Sequence, residues 1–251
     1  MIVAIKFKLS FFIFIYCTYL FGQNQNTLFV GTQLGINFTK CRLEDKSVKY
    51  ITTPINEGLL IGIPLEFGYK NKYLIETGIN RVYKVVSVKN TYPIDTAGYQ
   101  KFATVIETWE VPLKFGYRYK LNNQNFLDLK CGITVDFNYV WKKGKAPGER
   151  VDSTNTLEES GSGSETRINS TSNFSIGFGH VYSKGYRLQI NLIYAQGFSN
   201  VQTFYTNFIR DSKLLRTPYN YDGSYLAVVV GLTYDFNRIK NQMVKSPVVI
   251  P

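Results

Sequence analysis

Apolar and polar residues alternate with a period of two along eight stretches of the chain, near 28–39, 57–69, 73–88, 102–119, 126–141, 168–182, 186–198 and 222–236. In 57–69, Leu59, Ile61, Ile63, Leu65, Phe67 and Tyr69 share one face, and Gly58, Gly62, Pro64, Glu66 and Gly68 fall on the other. In 126–141, Leu127, Leu129, Cys131, Ile133, Val135, Phe137, Tyr139 and Trp141 oppose Asp128, Lys130, Gly132, Thr134, Asp136 and Asn138. Successive side chains of a strand point to opposite faces, so this pattern predicts strands. No stretch carries a comparable helical stripe.

The connections alternate too. Three are short, KNK at 70–72, KLNNQN at 120–125 and SKG at 183–185; four are long, 40–56, 89–101, 142–167 and 199–221. An even number of strands with short turns at one end and long loops at the other predicts an all-β fold, an eight-stranded antiparallel up-and-down transmembrane β-barrel. Aromatic residues on the apolar faces form two groups. Phe67, Tyr69, Tyr73, Phe115, Tyr117, Tyr119, Tyr182, Tyr186, Tyr234 and Phe236 flank the short turns, and Tyr83, Phe137, Tyr139, Trp141, Phe174, Tyr194 and Phe198 lie nearer the long loops. Two belts around an aliphatic band match the two interfaces of a membrane.

The polar faces decide which side is inside. They carry many glycines and both signs of charge: Glu66, Glu76, Glu110, Asp128 and Asp136 with Lys84, Lys114, Arg118, Lys130 and Arg187. Eight strands enclose a space just wide enough for side chains to fill, so these residues are expected to form an interior polar network. The same argument weighs against a wide diffusion channel and leaves room for a narrow or gated path for a small solute.

Composition adds three points. Residues 1–22 hold Lys6, Lys8 and an apolar run too short to span a membrane as a helix, and they read as a signal peptide. This leaves a barrel over 23–236 and a basic tail at 237–251, which is expected to lie in the periplasm along with the N-terminus. Removing Lys6 and Lys8 lowers the formal charge from +11 to +9, and the remaining cations are scattered, which argues against nucleic acid as a partner. Cys41 and Cys131 fall at the start of a loop and on the lipid-facing side of a strand, too far apart to bond, and are expected to be free thiols. With His180 alone there is no multi-histidine metal site, and no cofactor motif is present.

The chain resembles the PorT-like outer-membrane barrel family of Gram-negative bacteria in GTQLGINFT (31–39), YLIETGINRVYK (73–84), WEVPLKFGYRY (109–119) and GLTYDF (231–236). The resemblance covers essentially all of the chain after residue 22. It implies insertion by the barrel-assembly machinery, with Gly231, Tyr234 and Phe236 as the signal of the closing strand. Val229, where a polar residue is usual, and the 15 residues after Phe236 depart from that pattern. The family's functions are diverse, and a role in secretion or surface-protein assembly is an analogy.

The chemistry sorts three function classes. His180 lies beside a short turn with lipid-facing parity, a poor position for the base of a lipid-modifying hydrolase, and the paired carboxylates are better read as ion-pair partners than as catalysts. No catalytic residue is assigned, and a non-enzymatic structural or interaction protein is expected ahead of a narrow transport or hydrophobic-ligand barrel. Its expected partners are outer-membrane lipid and lipopolysaccharide and an envelope protein, with the barrel itself a monomer. In the loop 199–221, Phe204, Tyr205, Phe208, Tyr219 and Tyr221 either fold over the barrel mouth or form a contact surface. The loop 142–167 has almost no apolar residues and is expected to be mobile. Asp95-Thr96-Ala97 and Asp152-Ser153-Thr154 are similar to short bacterial O-glycosylation acceptors.

Overall fold

The computed structural model describes residues 26–43, 51–70, 72–90, 101–140, 146–150, 156–165, 167–182, 185–210 and 213–236. The expected signal peptide, the tail 237–251 and the two acceptor-like tripeptides lie outside them.

Fourteen strands run through the described residues: β1 (Thr27–Thr39), β2 (Arg42–Leu43), β3 (Ile51–Thr52), β4 (Asn56–Tyr69), β5 (Tyr73–Asn90), β6 (Lys101–Lys120), β7 (Asn125–Val140), β8 (Ala146–Arg150), β9 (Thr156–Glu165), β10 (Ile168–Val181), β11 (Tyr186–Gly197), β12 (Gln202–Arg210), β13 (Lys213–Tyr221) and β14 (Tyr225–Asp235). Eight of them, β1, β4, β5, β6, β7, β10, β11 and β14, pair antiparallel in a ring that β1 and β14 close. Closure leaves no open edge, as a membrane wall requires. The ring is staggered. Following register partners from Phe29 through Glu66, Glu76, Lys114, Gly132, Asn173, Ala195 and Tyr225 returns to β1 at Thr39, ten residues further along. Such a stagger tilts the strands against the barrel axis.

Alternation sorts the faces as the sequence pattern predicts. Along β14 the outward Leu226, Val228, Val230 and Leu232 are exposed, and the inward Tyr225, Ala227, Val229 and Thr233 are buried. The outward face is almost wholly aliphatic and aromatic, with Leu34, Ile61, Ile63, Ile133, Ile176 and Ile190 between the belts. Exposed apolar area on this scale is stable only against lipid. The chain is a transmembrane β-barrel.

Turn chemistry fixes the short-turn end. Asn122 Oδ1 accepts hydrogen bonds from the backbone N–H groups of Gln124 and Asn125, at 2.9 and 2.7 Å, which closes the β6–β7 turn. Gly185, at φ 87, lets the β10–β11 turn close through Tyr182 N–H to the Tyr186 carbonyl at 2.8 Å. Within the wall, Gly78 has φ 149 and lies opposite Pro64; a Cβ there would meet the Ile63 carbonyl oxygen at 2.3 Å.

The long-loop end departs from expectation. Strands β5 and β6 run past the barrel wall, pairing out to Lys89 and Lys101. The stretch 142–167, expected to be mobile, contains β8 and β9. They join a second sheet in the order β2-β13-β12-β9-β8. The β12–β13 hairpin forms its centre, and β9 pairs with β12 from Gln202↔Glu165 to Ile209↔Thr156. Main-chain hydrogen bonds to a distant partner can order a strand whose sequence has no apolar face of its own.

Candidate functional site

Among the described residues the lumen concentrates charge, and the strands bring that charge together at two levels. At the short-turn end Glu66 is the hub. Its carboxylate accepts from Arg118 Nη2 at 2.9 Å, from Lys130 Nζ at 2.6 Å and from Arg187 Nη1. Arg118 also holds Asp128 through Nε and Nη2, at 2.8 and 2.7 Å, a two-point pairing that the planar guanidinium favours. Lys130 reaches on to Glu76 at 2.6 Å, and Lys114 donates to Glu76 at 2.9 Å. Gln189 donates to Asp128 at 3.0 Å, and Arg187 Nε to Thr233 Oγ1 at 2.9 Å. All of these side chains are buried. The cluster braces β4, β5, β6, β7, β11 and β14 across the barrel.

Two inward phenylalanines complete it. The Arg187 guanidinium lies 4.1 Å from the Phe29 ring centre, and that of Arg118 lies 4.1 Å from Phe126. Both rings are buried at the short-turn mouth, where cation–π contact and packing close the lumen. Sequence reasoning missed them because they are apolar residues at inward positions; their parity with Gly31 and Asp128 was the available signal.

The second level lies toward the long loops. Lys84 Nζ is 3.0 Å from Glu110 Oε1 and 3.9 Å from Asp136 Oδ2, and Tyr225 donates its hydroxyl to Glu110 at 2.9 Å. Glu110 and Asp136 are cross-strand neighbours on β6 and β7. The network expected from sequence is therefore two clusters. Between them lie a Gln33–Asn80 hydrogen bond of 2.7 Å, an Asn173–Thr134 hydrogen bond and an apolar group of Leu60, Val82, Ile193, Ala195, Ala227 and Val229.

A lid covers the upper cluster. Tyr219, Tyr221 and Val201 from the 199–221 segment pack on Cys41, Val86, Val88 and Ile106, all buried. Tyr219 and Tyr221 are fully buried and do not belong to an exposed contact surface; they take the other alternative, folding over the barrel mouth. Tyr205 is half-buried. The side chains of Phe204 and Phe208 lie outside the described residues. Burial, reinforced by nearby Asp222, pushes the Cys41 thiol up to about 12. The Tyr221 phenol is raised as well, first by burial and then by Cys41.

The remaining sequence-predicted residues fall on the wall. Gly231 faces the lumen, while Phe236 faces outward and Tyr234 stacks edge-on against Tyr186 with ring centres 4.9 Å apart. His180 Nδ1 is 2.8 Å from Asn125 Oδ1, and its ring meets that of Tyr182 edge-on with centres 4.7 Å apart. Cys41 and Cys131 are both free thiols, one under the lid and one on the lipid-facing side. Among the described residues, no group of three or more His, Cys, Asp or Glu is arranged to hold a metal ion. A feature absent from the sequence reading is an outward ion pair, Arg81 with Glu107, beside Tyr83 and Trp109.

No family model matches the chain, and no curated protein matches it in sequence. Solved structures of outer-membrane proteins are similar in shape. They include OprG of Pseudomonas aeruginosa, with a TM-score of 0.47 and 10% identity, covering 85% of this chain and 97% of that one. AlkL, solved in lipid bilayers, gives 0.44 at 9% identity, covering 86% and 92%. Neisserial surface protein A gives 0.43 at 10%, covering 83% and 97%. At these scores the likeness is coarse, and the architecture rests on the chain's own closed ladder.

Proposed function

We propose that the chain is an outer-membrane barrel that acts without catalysis, as a closed anchor presenting an interaction surface at its long-loop end. The observation that carries this reading is the filled lumen. Seven charged side chains cross-brace one level, a second ion-paired level lies above it, and packed tyrosines cover the mouth. A conduit would need those buried pairs to break, which is costly once a charge loses its partner.

In this reading the short turns and both termini are periplasmic, and the external sheet of β2, β13, β12, β9 and β8 faces outward. The signal peptide 1–22 directs export, and the barrel-assembly machinery inserts the chain through its closing strand, with Gly231, Tyr234 and Phe236. Outer-membrane lipid and lipopolysaccharide surround a monomeric wall, and an envelope protein engages the external sheet or the basic tail 237–251. The PorT-like resemblance favours secretion or surface-protein assembly as the setting.

Planar-bilayer recording of the folded protein tests the reading. The expected result is no discrete conductance, together with a defined envelope protein recovered by crosslinking and affinity capture. Steady single-channel steps from the wild-type chain would overturn it in favour of narrow transport.

A further inference from the structure

Arg81 is the only Lys or Arg at an outward-facing position of the barrel strands between the short turns and the strand tips at Lys89 and Lys101. A cation on a lipid-facing wall is costly unless it has a partner or reaches an interface. Arg81 lies eight residues above Tyr73 of the short-turn belt, which is about 20 Å along the axis for strands tilted by about 40°. An apolar band is about 25 Å tall, so the guanidinium sits in the far girdle, at headgroup depth.

The surroundings hold it in a fixed attitude. Arg81 Nε donates to Glu107 Oε1 at 2.5 Å. Its guanidinium carbon lies 5.0 Å from the Tyr83 ring centre and 5.4 Å from that of Trp109. The arginine roofs the carboxylate: the Glu107 side chain is 7% exposed and that of Arg81 is 40% exposed. Glu107 therefore engages one edge of the fork from behind. The terminal nitrogens of Arg81 have no hydrogen-bond partner among the described residues. An oriented guanidinium between aromatic faces, with its outer edge open, matches the planar two-point recognition of phosphate.

We propose that Arg81, positioned by Glu107 and flanked by Tyr83 and Trp109, binds a phosphate of an outer-leaflet lipid. The site rests on the outer-membrane reading and its orientation, and it deepens it by naming where the wall holds lipid. It fixes the depth and rotational setting of β5 and β6 in the wall.

The test uses the full chain in detergent with graded diphosphoryl lipid A, counting bound lipid by native mass spectrometry. Arg81→Gln is expected to weaken retention about tenfold, the loss of one charge-assisted contact. Arg81→Lys should fall between, because an ammonium keeps the charge but not the fork. The double variant Arg81→Gln with Glu107→Gln removes both members of the ion pair and should also lose the lipid. Lipid A stripped of phosphate should bind wild type and Arg81→Gln alike. Equal retention of phosphorylated lipid A by wild type and Arg81→Gln would overturn the site. Displacement of the lipid by inorganic phosphate would overturn the lipid assignment in favour of a free anion. Heat-modifiable gel migration, followed in parallel, reports the barrel itself, so failure of the membrane reading and failure of the phosphate site give different results.

Discussion

The two charged levels of the lumen are built from the same residue types but held together differently. The short-turn cluster sets Glu66, Glu76 and Asp128 against Lys114, Arg118, Lys130 and Arg187, with every carboxylate reached by at least two donors. Among the described residues, the long-loop cluster sets Glu110 and Asp136 against Lys84, helped by Tyr225. The first closes its end of the barrel by ion pairing, with Phe29 and Phe126 as caps. The second relies on what lies above it, the packed tyrosines of the lid. Buried charges persist only where their partners are complete, so the cross-linked level is the more firmly braced of the two.

Substitutions at the two hubs separate these levels. Glu66→Gln leaves three cations facing an amide, and it should destabilise the barrel by about 3–5 kcal/mol. Urea unfolding of protein folded in liposomes would read this as a lower midpoint. Glu110→Gln removes one carboxylate of a pair that shares a single lysine. Asp136 remains to take Lys84, and an amide oxygen still accepts from Tyr225, so the loss should be about 1–3 kcal/mol. Equal effects at the two positions would erase the distinction. A larger effect at Glu110 would reverse it.

What the sequence made legible was parity, and what it hid was height. Alternation assigns Glu66 and Glu110 to the same inward set, because a strand's two faces are written in its period of two. Their separation into two clusters depends on the ten-residue stagger of the ring, which no single strand records. The same gap explains the second sheet. The pairing of β9 with β12 joins residues from 37 (Gln202 with Glu165) to 53 (Ile209 with Thr156) positions apart and leaves no local pattern in a loop as polar as 142–167. Tyr219 and Tyr221 illustrate a third limit: aromatic residues in a loop are equally suited to contact or to packing, and only Cys41, Val86 and Ile106 beneath them decide the matter. Arg81 and Glu107 were overlooked for the opposite reason, one ion pair in a face otherwise read as uniformly apolar.

The lid provides the smallest and most selective probe of the upper level. Cys41 lies under Tyr219 and Tyr221, and burial raises its thiol from an ordinary value of 9.0 to about 12. Between those two values the unfolded chain releases the thiol proton while the folded chain keeps it. Stability from this group is therefore fully present below pH 9 and declines as pH rises through that window. Cys41→Ser should flatten that decline without removing it, since the Tyr221 phenol is also raised and acts in the same direction. At neutral pH the same burial keeps Cys41 unreactive to a water-soluble maleimide, because the thiolate is the nucleophile and the tyrosines bar access. Tyr221→Ala opens that path and should expose Cys41 to labelling while the short-turn cluster keeps the barrel heat-modifiable. Labelling of Cys41 in the wild type at the variant's rate would show that the mouth is open, and that the upper level is sealed by its ion pairs and not by its lid.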